Sequence, residues 1–227
     1  MLVNNEDLIL KTFKFVILFL GLNLVISFIF SFIYPKYRVF FALEVLVTSV
    51  AGFMYYWIIN TYLTSKQLNL VDWDKITTLR YIDWFITTPL LLFSFSLFLS
   101  KGEQVKNLGN FIVFIIFFDL IMISAGYLGS FNLINNTLSQ FIGFFAYFVI
   151  FYSIYNKFFQ GGKLVTHIIF KKIFFFIMLL LWFLYGVIYN ASNYNRNAWT
   201  NILDGISKGI FGLSLAAYLL LQKSSRV

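Results

Sequence analysis

Six ionisable side chains, Glu44, Arg80, Asp83, Asp119, Asp204 and Lys208, lie inside stretches that are otherwise apolar. Each costs several kcal/mol there, at least ~2.5 on insertion scales, unless it is paired or neutralised. Asp204 precedes Lys208 by four residues, which puts both on one helical face. A buried amine beside a carboxylate serves either as an ion pair or as the site of a Schiff base. Arg80, Asp83 and Thr87 follow one another at i, i+3 and i+7, again on one face. Pro89 leaves the carbonyl of Phe85 without its helical donor, and Thr87 and Thr88 can satisfy backbone groups freed there. The plain alternative is a set of structural hydrogen-bonding groups, strongest for Asp119. With no cysteine in the chain, disulfide scaffolds, thiolate zinc sites, iron–sulfur ligation and cysteine nucleophiles are excluded. No metal site is expected. The single histidine, His167, has no metal partner and reads as solvated surface.

Elements able to hold such groups follow from composition. Of 227 residues, 60% are hydrophobic, 22% aromatic and only 11% charged, against roughly 25% charged in a soluble domain. Mean hydropathy is +0.84. Apolar stretches fall at residues 15–33, 39–63, 79–99, 108–127, 138–158, 173–189 and 199–221, separated by breakers such as Pro35, Gly102, Gly161 and Gly162. At about 20 residues per crossing these are seven membrane spans. The expected fold is an all-α membrane protein, a seven-transmembrane helix bundle forming a single domain over residues 1–227. Placing segments 36–38, 101–106, 157–172 and 223–226 on one side collects ten of the seventeen basic residues, and the positive-inside rule makes that side cytoplasmic. The N-terminus is then outside and the C-terminus cytoplasmic. Lys11 and Lys14 cut against this, but are expected just before the first span, where they can snorkel. The first ten residues lack the basic start and cleavage site of a signal peptide. The formal charge of +8 is therefore a topological signal and requires no nucleic-acid partner. No appended catalytic domain is present, so an enzyme is not expected.

The third-span residues Arg80-Tyr81-Ile82-Asp83-Trp84-Phe85-Ile86-Thr87-Thr88-Pro89-Leu90, with Asp204-Gly205-Ile206-Ser207-Lys208 on the seventh span, resemble the microbial (type 1) rhodopsins. The likeness is supported by Met54-Tyr55 on the second span, Asp119, Met122 and Gly126 on the fourth, and Trp182 and Tyr185 on the sixth. The first span adds only its hydrophobic length. The resemblance implies all-trans retinal as cofactor, bound to Lys208 as a Schiff base with Asp83 and Asp204 as counterion and Arg80 beside them. A protonated Schiff base about 4 Å from one carboxylate gains ~4 kcal/mol at an effective dielectric near 20, so it stays protonated in the dark. Tyr55 and Tyr185 resemble hydroxyl donors to Asp204, Trp84 and Trp182 resemble plates confining the polyene, and Thr88 resembles a structural hydrogen-bond partner of Asp119.

Departures from the proton-pumping members bear on mechanism. Those pumps carry a carboxylate eleven residues after the third-span acceptor, ~16 Å towards the cytoplasm; here that place is Ser94. The turn expected at residues 190–197 lacks their acidic proton-release pair. Gly186 stands where the family usually has proline, and Tyr189 replaces a further tryptophan. Glu44 lies eleven residues before Tyr55 on the same face, three turns to the cytoplasmic side. It reads as a relocated proton donor, as the acidic constriction of a cation pathway, or as a structural acid near a helix end. Ser94, Glu44, Asn197, Asn201 and Ser207 together give a polar lining. The triplet Asp83, Thr87 and Ser94 with Glu44 looks like the viral group-I rhodopsins, which are light-gated cation channels. The expectation is a light-gated channel for monovalent cations in a lipid bilayer, that of a host cell if the chain is viral. An outward pump moving protons is the alternative, and a sensory rhodopsin with a separate transducer a third. Self-association as a homo-oligomer is left open.

Overall fold

The computed structural model describes residues 7–101, 105–160 and 168–224, with side chains through Leu220. Its elements are α1 (Leu8–Ile33), a 3-10 turn (Pro35–Tyr37), α2 (Arg38–Gln67), α3 (Trp73–Ser100), α4 (Leu108–Ser130), α5 (Asn136–Phe158), α6 (Ile168–Ile188), α7 (Asn193–Asp204), a π-helical turn (Gly205–Ile210) and α8 (Phe211–Ser224). The last three run on as one span, so seven spans are long and apolar enough to cross a membrane. The shortest, Ile168–Ile188, has 21 residues, which at 1.5 Å per residue reaches across a hydrocarbon core of about 30 Å.

Three spans begin well before their apolar stretches, each at a polar cap. Asp72 accepts from the backbone N–H of Lys75, so α3 starts at Trp73. Ser192 accepts from the N–H of Asn195, so most of the asparagine-rich segment expected as a turn is the first turns of α7. Asp7 caps α1 at Ile9, which places Lys11 and Lys14 within α1 rather than before it, both exposed. These side chains satisfy backbone donors that a helix end leaves open. His167 lies outside the described residues.

The described residues form two compact units, residues 7–71 with 187–224, and residues 72–186 apart from the two undescribed stretches. In the first, α1 runs parallel to the last span in a fixed register. Asn201 donates to Thr12 Oγ1 at 2.9 Å; a Cβ on Gly205 would meet Phe15 and the backbone of Val16; one on Gly209 would meet Phe19. The Gly205-xxx-Gly209 spacing is the small-residue pattern that lets membrane helices approach closely. At Gly209 the nearest atoms are the Cβ, carbonyl carbon and oxygen of Phe19 at 2.6, 2.9 and 3.0 Å, mostly backbone that cannot swing away. Gly209→Ala is therefore expected to destabilise the protein by about 1–3 kcal/mol through overpacking, read as a lower melting temperature in detergent; an unchanged melt would show that α1 moves freely on the last span.

In the second unit, Tyr81 and Ser130 share a hydrogen bond at 3.1 Å, Ser139 donates to the carbonyl of Ala125, and Tyr147 donates to that of Leu179. Gly186 packs on Phe144, whose Cζ would lie 2.6 Å from any Cβ there. A proline carries that Cβ, so the Phe144 ring would have to swing aside to admit one.

Candidate functional site

On α7 and the turn after it, Asn197, Asn201, Asp204, Ser207 and Lys208 are all buried. Lys208 Nζ lies 3.4 Å from Asp204 Oδ1, with the two side chains 2% and 1% exposed. Tyr55 on α2 donates to the other carboxyl oxygen, Oδ2, at 2.7 Å. Oriented by that hydroxyl, the carboxylate supplies the compensation a buried cation requires. Lys208 sits in the π-helical turn, where Phe211 N–H bonds back five residues to Ile206 O; such widened turns gather at functional sites.

Around this centre, Asn201 is held by Thr12 and Asn197 donates to the carbonyl of Asn193 at 2.8 Å. Glu44 is buried on α2 and accepts from Asn23 at 3.1 Å. The same Asn23 amide donates to the backbone carbonyl of Lys208 at 2.8 Å. The first span thus contributes more than hydrophobic length: Thr12 and Asn23 reach the last span, and Asn23 also reaches α2. Polar residues at positions 12, 23 and 27 inside an apolar run, together with Gly205-xxx-Gly209, were the available signal for this face.

In the second unit, Arg80, Asp83, Thr87 and Ser94 are buried on α3, the face their spacing predicts. Thr87 donates to the Asp83 carbonyl. Thr88 Oγ1 lies 2.7 Å from Asp119 Oδ2 and 2.8 Å from the Trp84 carbonyl, which is the interhelical bond expected from sequence. Trp84 packs edge-on against Tyr185 and Tyr81, with ring centroids 5.6 and 5.1 Å apart. Gly126 leaves room for Tyr81, whose hydroxyl would lie 2.8 Å from a Cβ there. Met122 is half-buried one turn from Asp119, and Trp182 is buried against Phe151.

Two charged residues enter that sequence reasoning did not single out. Lys171, assigned above to the basic cytoplasmic edge, is 2% exposed on α6 and donates to the carbonyl of Lys101 at 2.8 Å. Asp7 binds Lys66 and Tyr194, each at 2.7 Å, as well as Tyr62, tying the start of α1 to α2 and α7. Burial raises the Asp7 carboxyl, but the hydrogen bonds from Lys66, Tyr62, Tyr194 and the Ile9 N–H outweigh it and hold the group well below the usual carboxylate range. A depressed carboxyl adds stability above its unfolded value, and loses it as pH falls through the folded one. The contribution is therefore complete at neutral pH and lost progressively below 3.8. Asp7→Asn is expected to cost about 1–2 kcal/mol at pH 7 and nothing in strong acid; equal melting losses at both pH values would deny the charge any part.

Among the described residues, no group of three or more His, Cys, Asp or Glu could hold a metal ion. The donor set fits an aldehyde cofactor instead: one amine, shielded from water, beside a retained negative charge. Seven apolar spans with a buried amine–carboxylate pair on the last of them define a membrane protein with room for such chemistry in its interior. The sequence profile of bacteriorhodopsin-like proteins matches residues 9–222, and the chain belongs to that family, the microbial (type 1) rhodopsins. It is 26% identical over 192 residues to a green-light absorbing proteorhodopsin of Gamma-proteobacterium EBAC31A08, covering 78% of this chain and 72% of the relative. Among solved structures, viral rhodopsin OLPVRII superposes with a TM-score of 0.81 at 27% identity, covering 94% of this chain and 98% of the other. The proton-pumping rhodopsin AR2 of Acetabularia acetabulum shares the fold, with a TM-score of 0.78 at 21% identity, covering 96% and 98%. The protein is thus a multi-pass integral membrane rhodopsin, of a family of photoreceptors and ion transporters.

Proposed function

We propose that this rhodopsin is a light-gated cation channel, oriented with its N-terminus outside and its C-terminus cytoplasmic. One observation carries the reading: within a single unit, a buried polar stripe on the last span (Asn197, Asn201, Asp204, Ser207, Lys208) is continued by buried Glu44 on α2 through Asn23. A serine, Ser94, stands where pumps of the family place a proton-donating carboxylate. When bound to Lys208 as a Schiff base, all-trans retinal supplies visible absorption and a light-driven isomerisation. Asp204 holds a negative charge 3.4 Å from the Lys208 nitrogen, an attraction of about 5 kcal/mol at an effective dielectric near 20. Tyr55 fixes the orientation of that carboxylate. The third-span motif assigns Asp83 and Arg80 to the same charge balance, and Trp84, Trp182 and Tyr185 to the walls that restrict the cofactor's motion. Glu44, an acid continuing that buried polar stripe, favours cations over anions.

The alternative, an outward proton pump with Glu44 as donor, is favoured by the burial of Glu44 and by the fold shared with a rhodopsin described as proton-pumping. Photocurrent against voltage in a clamped cell supplied with retinal separates the two. Channel current is expected to reverse near the cation equilibrium potential, whereas a current that stays outward at every voltage would make the protein a pump.

A further inference from the structure

Asn23 uses every polar atom it has. Its amide nitrogen donates to Glu44 Oε2 at 3.1 Å and to the Lys208 carbonyl at 2.8 Å, and its oxygen accepts from Ser27 Oγ at 3.0 Å. An amide carries two N–H donors, and both are committed. A backbone carbonyl only accepts, so the NH2 group must face Lys208. Asn23 and Ser27 are wholly buried. A Cβ on Gly212 would overlap both Asn23 Nδ2 and Glu44 Oε2, so the absence of a side chain there makes room for the pair. Three helices and the π-helical turn therefore meet at one side chain: Asn23 on α1, Glu44 on α2, the Lys208 carbonyl in the turn and Gly212 on α8.

We propose that Asn23 is a positioning residue that couples the main chain at Lys208 to Glu44, so that a backbone displacement at Lys208 changes the hydrogen bonding of the Glu44 carboxyl group. The proposal rests on Lys208 carrying the light-sensitive group and on Glu44 lining the ion path. It deepens that reading by naming how the two communicate without touching. Two acceptors share one planar amide, so moving the carbonyl rotates or draws away the amide and lengthens the bond to Glu44. Hydrogen bonds weaken steeply with misalignment, which makes a small backbone shift sufficient. The widened turn gives the last span a local place to yield.

Infrared spectroscopy of membranes holding the retinal-free protein tests the bond. The Glu44 carboxyl band is identified as the one lost in Glu44→Gln. It is expected to shift in Asn23→Leu and in Gly212→Ala, and to stay in place in Ser214→Ala, a change at an exposed hydroxyl bonded to the Ile210 carbonyl one turn back on the same span. An unshifted band in both test variants overturns the proposal. With retinal added, Asn23→Leu is expected to keep the parental absorption maximum while the light-induced Glu44 difference band falls several-fold. A full-sized light-induced band in that pigment overturns the coupling and leaves the assignment of Lys208 intact. If the unsubstituted protein forms no pigment, the retinal reading falls and the coupling with it. If Asn23→Leu does not fold, Gly212→Ala supplies both readouts, and solid-state NMR between labelled Asn23 nitrogen and Glu44 carboxyl carbon in the unsubstituted chain measures the contact; no through-space coupling there overturns the proposal.

Discussion

Lys208→Ala, expressed with retinal, is expected to give a protein with no visible absorbance. Lys208 is the amine that the site presents beside a buried carboxylate, 3.4 Å from Asp204. Among the described residues, the other lysine buried to a similar degree, Lys171, belongs to the other unit and already donates to the Lys101 carbonyl. Removing Lys208 also strands Asp204, and breaking a buried pair by deleting one partner costs about 3–5 kcal/mol. A colourless alanine variant could therefore be a poorly folded one. Lys208→Arg removes that ambiguity, since it keeps a cation near Asp204 while a guanidinium forms no Schiff base. The arginine variant is expected to melt closer to the parent than the alanine variant and to be equally colourless. Colour in either would refute the attachment site.

The parts of this molecule legible in the sequence are those written in local periodicity. Seven spans follow from hydropathy, and the buried face of α3 follows from the spacing of Arg80, Asp83 and Thr87. The Asp204–Lys208 pair follows from a separation of four, and Thr88 with Asp119 from the resemblance to the microbial rhodopsins. Span ends were less legible because hydropathy does not register caps. Asp72 and Ser192 add more than a turn each to α3 and α7 by satisfying backbone donors. The contribution of α1 was illegible for a different reason. Asn23 and Thr12 reach the last span through residues nearly two hundred positions away, Lys208 and Asn201, and polar residues in an apolar run mark a buried face without naming its partner. Lys171 reads as interfacial from its place beside Lys172 near a span end, and its bond to the Lys101 carbonyl adds only that the amine turns inward there.

The charge balance at Lys208 yields the second large effect. Tyr55 and Lys208 both engage Asp204, through opposite carboxyl oxygens, so Asp204→Asn removes the charge while keeping a side chain of the same shape. A buried cation that loses its nearby anion is destabilised by several kcal/mol, and pigment yield is expected to fall with it. The absorption maximum is expected to move to the red, because a carboxylate at this distance stabilises positive charge at the nitrogen most strongly before excitation draws that charge along the polyene. Asp83→Asn is expected to shift the spectrum in the same direction. If it leaves the spectrum in place while Asp204→Asn moves it, Asp204 alone sets the colour and the third-span carboxyl keeps only a role in proton or ion movement. Tyr55→Phe separates charge from orientation, since it removes one hydrogen bond and retains the anion. Its shift is expected to be smaller than that of Asp204→Asn, and an equal shift would mean that the tyrosine hydroxyl, by holding the carboxylate in place, controls the whole of its effect.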